Sequence, residues 1–345
     1  MIPKRLDTKA KGVEFREFED GLYNKIIGQN EAVEAVTTTY QVYKAGFCAP
    51  GRPISNLLFL GPTGTGKTRM VEALSEQCFG HPDAILKVNC AEFQHSHEIA
   101  KIIGSPPGYL GHRETHPLIT QEGLAKYWTE KDKFSLLLFD EIEKASDSLW
   151  QLLLGIMDKA TLTLGDNRTV DLSSTMLFMT SNLGGREITD MMGVRMGFEP
   201  ITRGAAAASI DGKIEHTAEN SAKRKFNPEF MNRIDKTVVF HPLKPEHLER
   251  ILEIELNQVQ KRVIDSPRSR FIFQTAPSAR NFLLKEGTDA KYGARHLKRA
   301  IEKYVVIPLA GLVSSGQIGM GDVLSIHHEE SSTELVFLRE AAMTA

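Results

Sequence analysis

Cysteine is scarce: the 345 residues hold three, Cys48, Cys78 and Cys90, far apart and with no C-x-x-C spacing. That excludes a disulfide-stapled scaffold and a cysteine-rich zinc site, and leaves free thiols in a reducing compartment, so the cytoplasm is the expected location. An excess of one charge is also missing. Forty-two basic residues against 44 acidic ones give a formal net charge of −2. With no basic stripe, neither nucleic acid nor an anionic membrane is an expected partner. Long apolar runs are absent, and stretches such as LLLF (Leu136–Phe139) are far too short to span a bilayer. The N-terminal MIPKRLDTKAKGVEFREFED is charged and has no apolar core, so it is not read as a secretory signal. There is no internal repeat.

What is present is an ordinary globular composition, 41% hydrophobic and 25% charged, in a length that suggests about two domains. Residues 1–25 read as a polar arm ordered against the first domain. Glu31–Tyr43 reads as a helix, Ile54–Leu60 as a buried strand, and Lys67–Cys78 as a helix behind a glycine-rich turn. Ala84–Asn89, Phe134–Phe139 and Thr175–Thr180 are further short apolar strands with helices between them. Such alternation predicts an α/β fold with a mostly parallel sheet covered on both faces. Residues 193–224 are polar and alanine-rich without a steady period, and read as a mobile surface insertion. Lys236–Phe240 is the last strand, and HPLKP (His241–Pro245) a boundary. The domains expected are therefore 1–241 and 242–345. In the second, Leu248, Ile251, Leu252, Leu256, Val259 and Val263 recur at helical spacing, as do Leu297, Ala300, Ile301, Tyr304 and Val305. Strands are expected at Arg270–Thr275, Asp322–His328 and Thr333–Leu338, which makes this smaller domain α+β.

The chemistry is concentrated in a few segments. GPTGTGKT (Gly61, Pro62, Thr63, Gly64, Thr65, Gly66, Lys67, Thr68) fits G-x-x-x-x-G-K-[ST] in full, between a strand and a helix. Glycines let the backbone wrap a phosphate, and successive N–H groups with the helix N-terminus point at the anion. Lys67 reaches the outer phosphates of ATP, and the Thr68 hydroxyl suits Mg²⁺. LLLFDEIEKA (Leu136–Ala145) ends an apolar strand in two carboxylates. Asp140 suits the metal, and Glu141 suits a water aimed at the γ-phosphate. By itself this could be a solvated acidic turn; behind a complete phosphate loop, hydrolysis is the better reading. Asn182, closing FMTSN, could bond the γ-phosphate or the water, or serve as a turn residue. IIGSPPGYLGHRE (Ile102–Glu114) is a Gly/Pro loop that presents one aromatic, Tyr109, beside Leu110. The nearby His95, His97, His112 and His116 lack a cysteine or carboxylate pattern and are read as solvated rather than as metal ligands.

In this order the motifs resemble the AAA+ ATPases of the Clp unfoldase class, most of all the second ATPase module of ClpB-type disaggregases and ClpC-type unfoldases. IIGQNEAV (Ile26–Val33), the phosphate loop, GSPPGYLG, LFDEIEKA, TSN, FNPEFMNRID (Phe226–Asp235) and YGARHLKRAIE (Tyr292–Glu302) all have counterparts there. The resemblance implies a AAA+ P-loop fold, a parallel sheet sandwiched by helices, with a smaller lid domain. It implies that Ile26 and Ile27 flank adenine, that Arg233 reaches a neighbouring subunit's ATP, and that Arg295 contacts the γ-phosphate of its own subunit. It also implies a ring, a hexamer, whose pore is lined by Tyr109 and Leu110 gripping a threaded polypeptide. The expected function is an ATP-dependent unfoldase or disaggregase chaperone acting on unfolded or aggregated protein. Met196, Gly197 and Phe198 stand about where protease-coupled relatives dock a ClpP-type peptidase, so a feeder subunit is one alternative. A regulatory AAA+ module with weak ATPase is another. No counterpart of the family's N-domain, first ATPase module or coiled-coil arm is read in this chain.

Overall fold

The structure is a computed structural model, describing residues 7, 10–105, 116–185, 187–188, 205–267, 270–288, 293–330 and 332–340. Tyr109, Leu110, Met196, Gly197 and Phe198 lie outside the described residues, as does Tyr292. The described residues divide into two compact units, Met1–Pro62 with Gly66–His241, and Thr63–Thr65 with Pro242–Ala345.

The first unit is built on five parallel strands: β1 (Ser55–Leu60), β2 (Leu86–Asn89), β3 (Ser135–Asp140), β6 (Thr175–Ser181) and β7 (Lys236–Val239), in the order β2-β3-β6-β1-β7. Side chains alternate across a strand, and here both alternating sets are buried. Leu57, Phe59, Leu136, Leu138, Met176 and Phe178 pack on one face. Leu58, Leu60, Leu137, Phe139, Leu177 and Met179 pack on the other. Helices α1 (Val13–Tyr23), α2 (Asn30–Lys44) and α3 (Lys67–Phe79) cover the first face through residues such as Leu22, Val36 and Leu74. Helix α6 (Asp147–Lys159) covers the second through Leu149, Leu153 and Ile156. Each such side chain contributes about 1.5–3 kcal/mol on burial. The short helices α4 (Ala100–Ile103) and α5 (Gln121–Ala125) and a hairpin of β4 (Thr161–Thr163) and β5 (Thr169–Asp171) complete the connections.

In the N-terminal arm Val13–Tyr23 is the helix α1, with Phe18 and Leu22 buried. Of the 193–224 stretch, the described part from Ala205 on departs from its expected reading as a surface insertion. Ala205–Lys225 is a helix, α7, and Ile214, Ala218, Ala222 and the following Phe226 are buried in the second-face core. They recur every four residues, but two of the four are alanines, whose small side chains give a weak periodic signal. Helix α8 (Pro228–Met231) follows, capped by the Asn227 side chain on Phe230 N–H at 2.8 Å.

In the second unit, helix α9 (Pro245–Asp265) buries Leu248, Leu252, Leu256 and Val259. A three-stranded sheet has β9 (Val323–His328) between β8 (Ile272–Thr275), which is parallel to it, and the antiparallel β10 (Leu335–Arg339). Helix α10 (Pro277–Gly287), not anticipated from the sequence, is followed by α11 (Ala294–Ile301), a π-helical turn over Glu302–Val306, and α12 (Ile307–Ser314). Pro308 lacks the N–H that a regular α-helix would need there, and the widened turn accommodates it.

Candidate nucleotide site

The sheet order sets β3, β6 and β1 side by side, and parallel strands deliver their carboxyl ends to one edge. The phosphate loop leaves β1 there. Gly61 has φ +136° and a Cβ on it would lie 2.4 Å from the Phe240 carbonyl oxygen, so only glycine fits. Gly66, at φ +104°, turns the chain into α3. Lys67 follows, buried at 7% exposure, and its Nζ donates to the carbonyls of Gly61 (2.7 Å) and Pro62 (2.8 Å) and to Asn182 Oδ1 (2.9 Å). Asn182 Nδ2 in turn donates to Glu141 Oε1 at 3.4 Å. One amide thus touches both the lysine and the second carboxylate of the acidic pair.

Asp140 ends β3. Its Oδ1 accepts from the Thr68 hydroxyl at 3.4 Å and from the Thr180 hydroxyl, and its Oδ2 pairs with Lys87 Nζ at 3.0 Å. Burial pushes the carboxyl up, but the Thr180 bond and the Lys87 pair, with the charge of Lys67, hold it below the usual carboxylate range. Asp140 is therefore anionic at neutral pH. Its carboxylate beside the Thr68 hydroxyl makes an all-oxygen donor set that fits a small hard cation, which takes one or two protein oxygens and completes its shell with water and phosphate.

Glu141 adopts φ +58° and ψ +48°, a left-handed conformation that a non-glycine residue takes at a cost of about 1 kcal/mol or more. Its N–H donates to Thr180 Oγ1 at 3.1 Å, and its Oε2 pairs with Lys144 Nζ at 2.5 Å. The strained turn swings the carboxylate off the strand end and toward Asn182. Glu143 supports the same loop by accepting the Asn182 N–H at 3.2 Å.

The structure therefore brings Lys67, Thr68, Asp140, Glu141 and Asn182 into one hydrogen-bonded set. Ile26 and Ile27 are buried in the turn after α1, at 4% and 6% exposure. That turn is tied to the end of β7 by a reciprocal pair, Gln29 Nε2 to His241 O (2.8 Å) and His241 N–H to Gln29 Oε1 (3.0 Å). Arg233 keeps other company: Asp158 at 2.6 Å and Glu229 at 3.1 Å. Arg295 is exposed in the first turn of α11. Sequence reasoning missed Thr180, Lys87, Glu143 and Gln29. Thr180 faces Asp140 through the β3–β6 register, which pairs Phe139 with Met179 and which local sequence pattern does not carry. Among the described residues no helix is long and apolar enough to cross a membrane, and no group of three or more His, Cys, Asp or Glu is arranged to hold a metal.

Residues 52–237 match the AAA domain (Cdc48 subfamily), and residues 243–326 match the C-terminal D2-small domain of ClpB protein. The chain is 34% identical over 344 residues to Chaperone protein ClpB 1 of Synechococcus elongatus, covering 100% of this chain and 36% of that protein. It is 35% identical over 328 residues to the ATP-dependent Clp protease ATP-binding subunit ClpC of Staphylococcus epidermidis, covering 95% and 38%. A cryo-EM reconstruction of closed-state Hsp104 with ATPγS and FITC casein superposes with a TM-score of 0.75 at 26% identity, over 96% of this chain and 53% of that one. The chain spans little more than a third of the length of these curated relatives. With the AAA model covering more than half of the residues and the ClpB small-domain model following it, this chain belongs to the AAA+ ATPases of the Clp type.

Proposed function

We propose that this chain is an ATP-hydrolysing module that unfolds or disaggregates protein by threading it through a ring of like subunits. The observation that carries this reading is the linkage of Lys67, Asn182 and Glu141 by one amide at the carboxyl edge of the sheet. The loop from Gly61 to Thr68 binds the phosphates through backbone N–H groups and α3. Lys67 neutralises the outer phosphates, exchanging its carbonyl partners for phosphate oxygens. Glu141 accepts a proton from the attacking water, and Asn182 fixes that water and the γ-phosphate relative to Glu141. Asp140 and Thr68 would hold Mg²⁺, whose charge would offset that developing on the phosphate. Ile26 and Ile27 would flank the adenine.

Residues 1–241 form the large ATPase domain and 242–345 the small domain, on which Arg295 reads the γ-phosphate. Arg233 serves the neighbouring subunit, so the active form is a closed ring, a hexamer in this reading. Tyr109, with Leu110, grips the substrate: an aromatic ring packs on any backbone or side chain and so holds without sequence choice. A folded target is stable by about 5–15 kcal/mol, which calls for repeated ATP-driven strokes. The substrate is unfolded or aggregated polypeptide. The three thiols, free in the structure, suit a reducing cytoplasm.

Unfolding of a tagged fluorescent reporter tests this. Wild type with ATP should unfold it, Glu141→Gln should bind ATP without unfolding, and Tyr109→Ala should hydrolyse ATP without unfolding. Reporter unfolding by Tyr109→Ala at the wild-type rate contradicts the pore-loop role. Likeness to ClpC, named as a Clp protease ATP-binding subunit, favours a second reading in which Met196, Gly197 and Phe198 dock a ClpP-type peptidase. ATP-dependent degradation of an unfolded substrate by the mixture, lost in Phe198→Ala, supports that reading; release of full-length substrate opposes it.

A further inference from the structure

Arg233 is held from both ends. Its backbone carbonyl accepts from Asn56 Nδ2 at 3.0 Å, and Asn56 is fully buried at the start of β1. Two residues on, Asp235 Oδ2 accepts the Asn56 N–H at 2.7 Å. At the far end of the side chain, Nη2 donates to Asp158 Oδ2 at 2.6 Å, and Nη1 donates to the Glu229 carbonyl at 3.0 Å and pairs with its carboxylate at 3.1 Å. The Arg233 side chain is only 21% exposed, whereas those of Asp158 and Glu229 are 43% and 60% exposed.

The two anchors differ in kind. Glu229 is four residues away in the turn that carries Arg233 itself. Asp158 comes from the last turn of α6, next to Met157, which is fully buried in the core. A free arginine has about 2 kcal/mol of rotamer entropy to lose on docking. One anchored to a packed helix has lost much of it beforehand, and its planar fork is set in direction. Nη1 is engaged by Glu229, and Nε is buried. The bond to Asp158 takes one of the two Nη2 hydrogens and leaves the other for an oxyanion while that bond persists. Swinging away would break the bonds to Asp158 and to the Glu229 carbonyl together, so the arginine acts from where it is held.

We propose that Asp158 is a positioning residue for Arg233, fixing its guanidinium in the direction that meets the γ-phosphate bound to the neighbouring subunit. This rests on the reading of Arg233 as acting in trans, and the test separates the two. ATP hydrolysis is measured for Asp158→Asn, Asp158→Glu and Arg233→Ala against ATP and protein concentration, with thermal midpoints as a folding control. Misplacing a reacting group by about 1 Å loses on the order of 100-fold. Asp158→Asn should therefore lose roughly 10- to 100-fold in kcat with KM and the thermal midpoint unchanged, and Asp158→Glu should recover most of it. Glu141→Gln subunits, which keep Asp158 and Arg233, should raise turnover when added to Asp158→Asn subunits, because they lend a well-placed arginine; a folding defect would not respond. Normal or raised kcat in Asp158→Asn beside an inactive Arg233→Ala overturns the role of Asp158 and leaves the arginine reading standing. Failure of Glu141→Gln subunits to restore turnover also overturns it. Full activity in Arg233→Ala overturns both.

Discussion

Arg233 and Lys67 stand at opposite ends of β1. The carbonyl of Arg233 is bonded to Asn56 at the strand's start, whereas Lys67 follows the loop that leaves Leu60 at its end. The four residue steps from Asn56 to Leu60 span roughly 13 Å, beyond the reach of one arginine side chain. Arg233 is thus ill placed for its own phosphate loop, as the proposed role at a neighbouring copy's site requires. Arg233→Ala should keep ATP binding and lose hydrolysis; trans arginines are worth about 10³–10⁵ in rate in GTPases. Nucleotide affinity and turnover measured on one preparation check this, and an equal loss of both would contradict it.

In the proposed function Lys67 and Glu141 divide the work at the site. Lys67→Ala removes the buried ammonium proposed to neutralise the phosphates and should weaken ATP binding at least about tenfold. Glu141→Gln keeps the size and the Asn182 contact but removes the base, so affinity should hold while kcat falls by about 10²–10⁴. Asn182→Ala should resemble the glutamine variant in losing kcat more than affinity. Fluorescent-nucleotide titration beside phosphate release distinguishes these outcomes.

Gly61→Ala should cost about 2–3 kcal/mol of stability and weaken ATP binding, because the new Cβ meets the Phe240 carbonyl at 2.4 Å. Gly46→Ala is the comparison: its φ is also positive, at +72°, but nothing lies within 4 Å. It should cost only about 1 kcal/mol. Urea unfolding of the two variants reads the difference, and equal losses would show that the close approach is immaterial.

Glu76 on α3 pairs with Arg69 at 2.6 Å and Lys25 at 3.1 Å. Burial pushes its carboxyl up, but these two partners outweigh burial and hold it below its ordinary value of 4.5. A carboxyl depressed in the fold stabilises fully above its unfolded value and loses that contribution as pH falls through the folded one. Glu76→Gln should therefore lose about 1 kcal/mol at neutral pH. The gap to wild type should close below pH 4.5. Thermal midpoints across pH test it; a gap that widens on acidification would have the wrong sign.

The segments that meet at the carboxyl edge of the sheet were legible because phosphate-loop chemistry dictates residue type at fixed spacing. Glycines at 61, 64 and 66, the lysine at 67 and the acidic pair ending an apolar strand leave few other uses. The two-sided sheet was legible from unbroken apolar runs such as Leu136–Phe139. Strand order was not, since it depends on pairings between distant segments, such as β1 with β6 and β7. Helix α7 escaped because Ala218 and Ala222 are small, although they pack in the core with Ile214 and Phe226. The pairing of Arg233 with Asp158, 75 residues apart, leaves no trace in local pattern.

ATP turnover completed between subunits and harnessed to polypeptide would show in specific ATPase activity against protein concentration, measured with and without casein as an unfolded substrate. Activity per subunit should rise with concentration to a plateau, and the plateau should be higher with casein. Activity that is independent of concentration and indifferent to casein would contradict it.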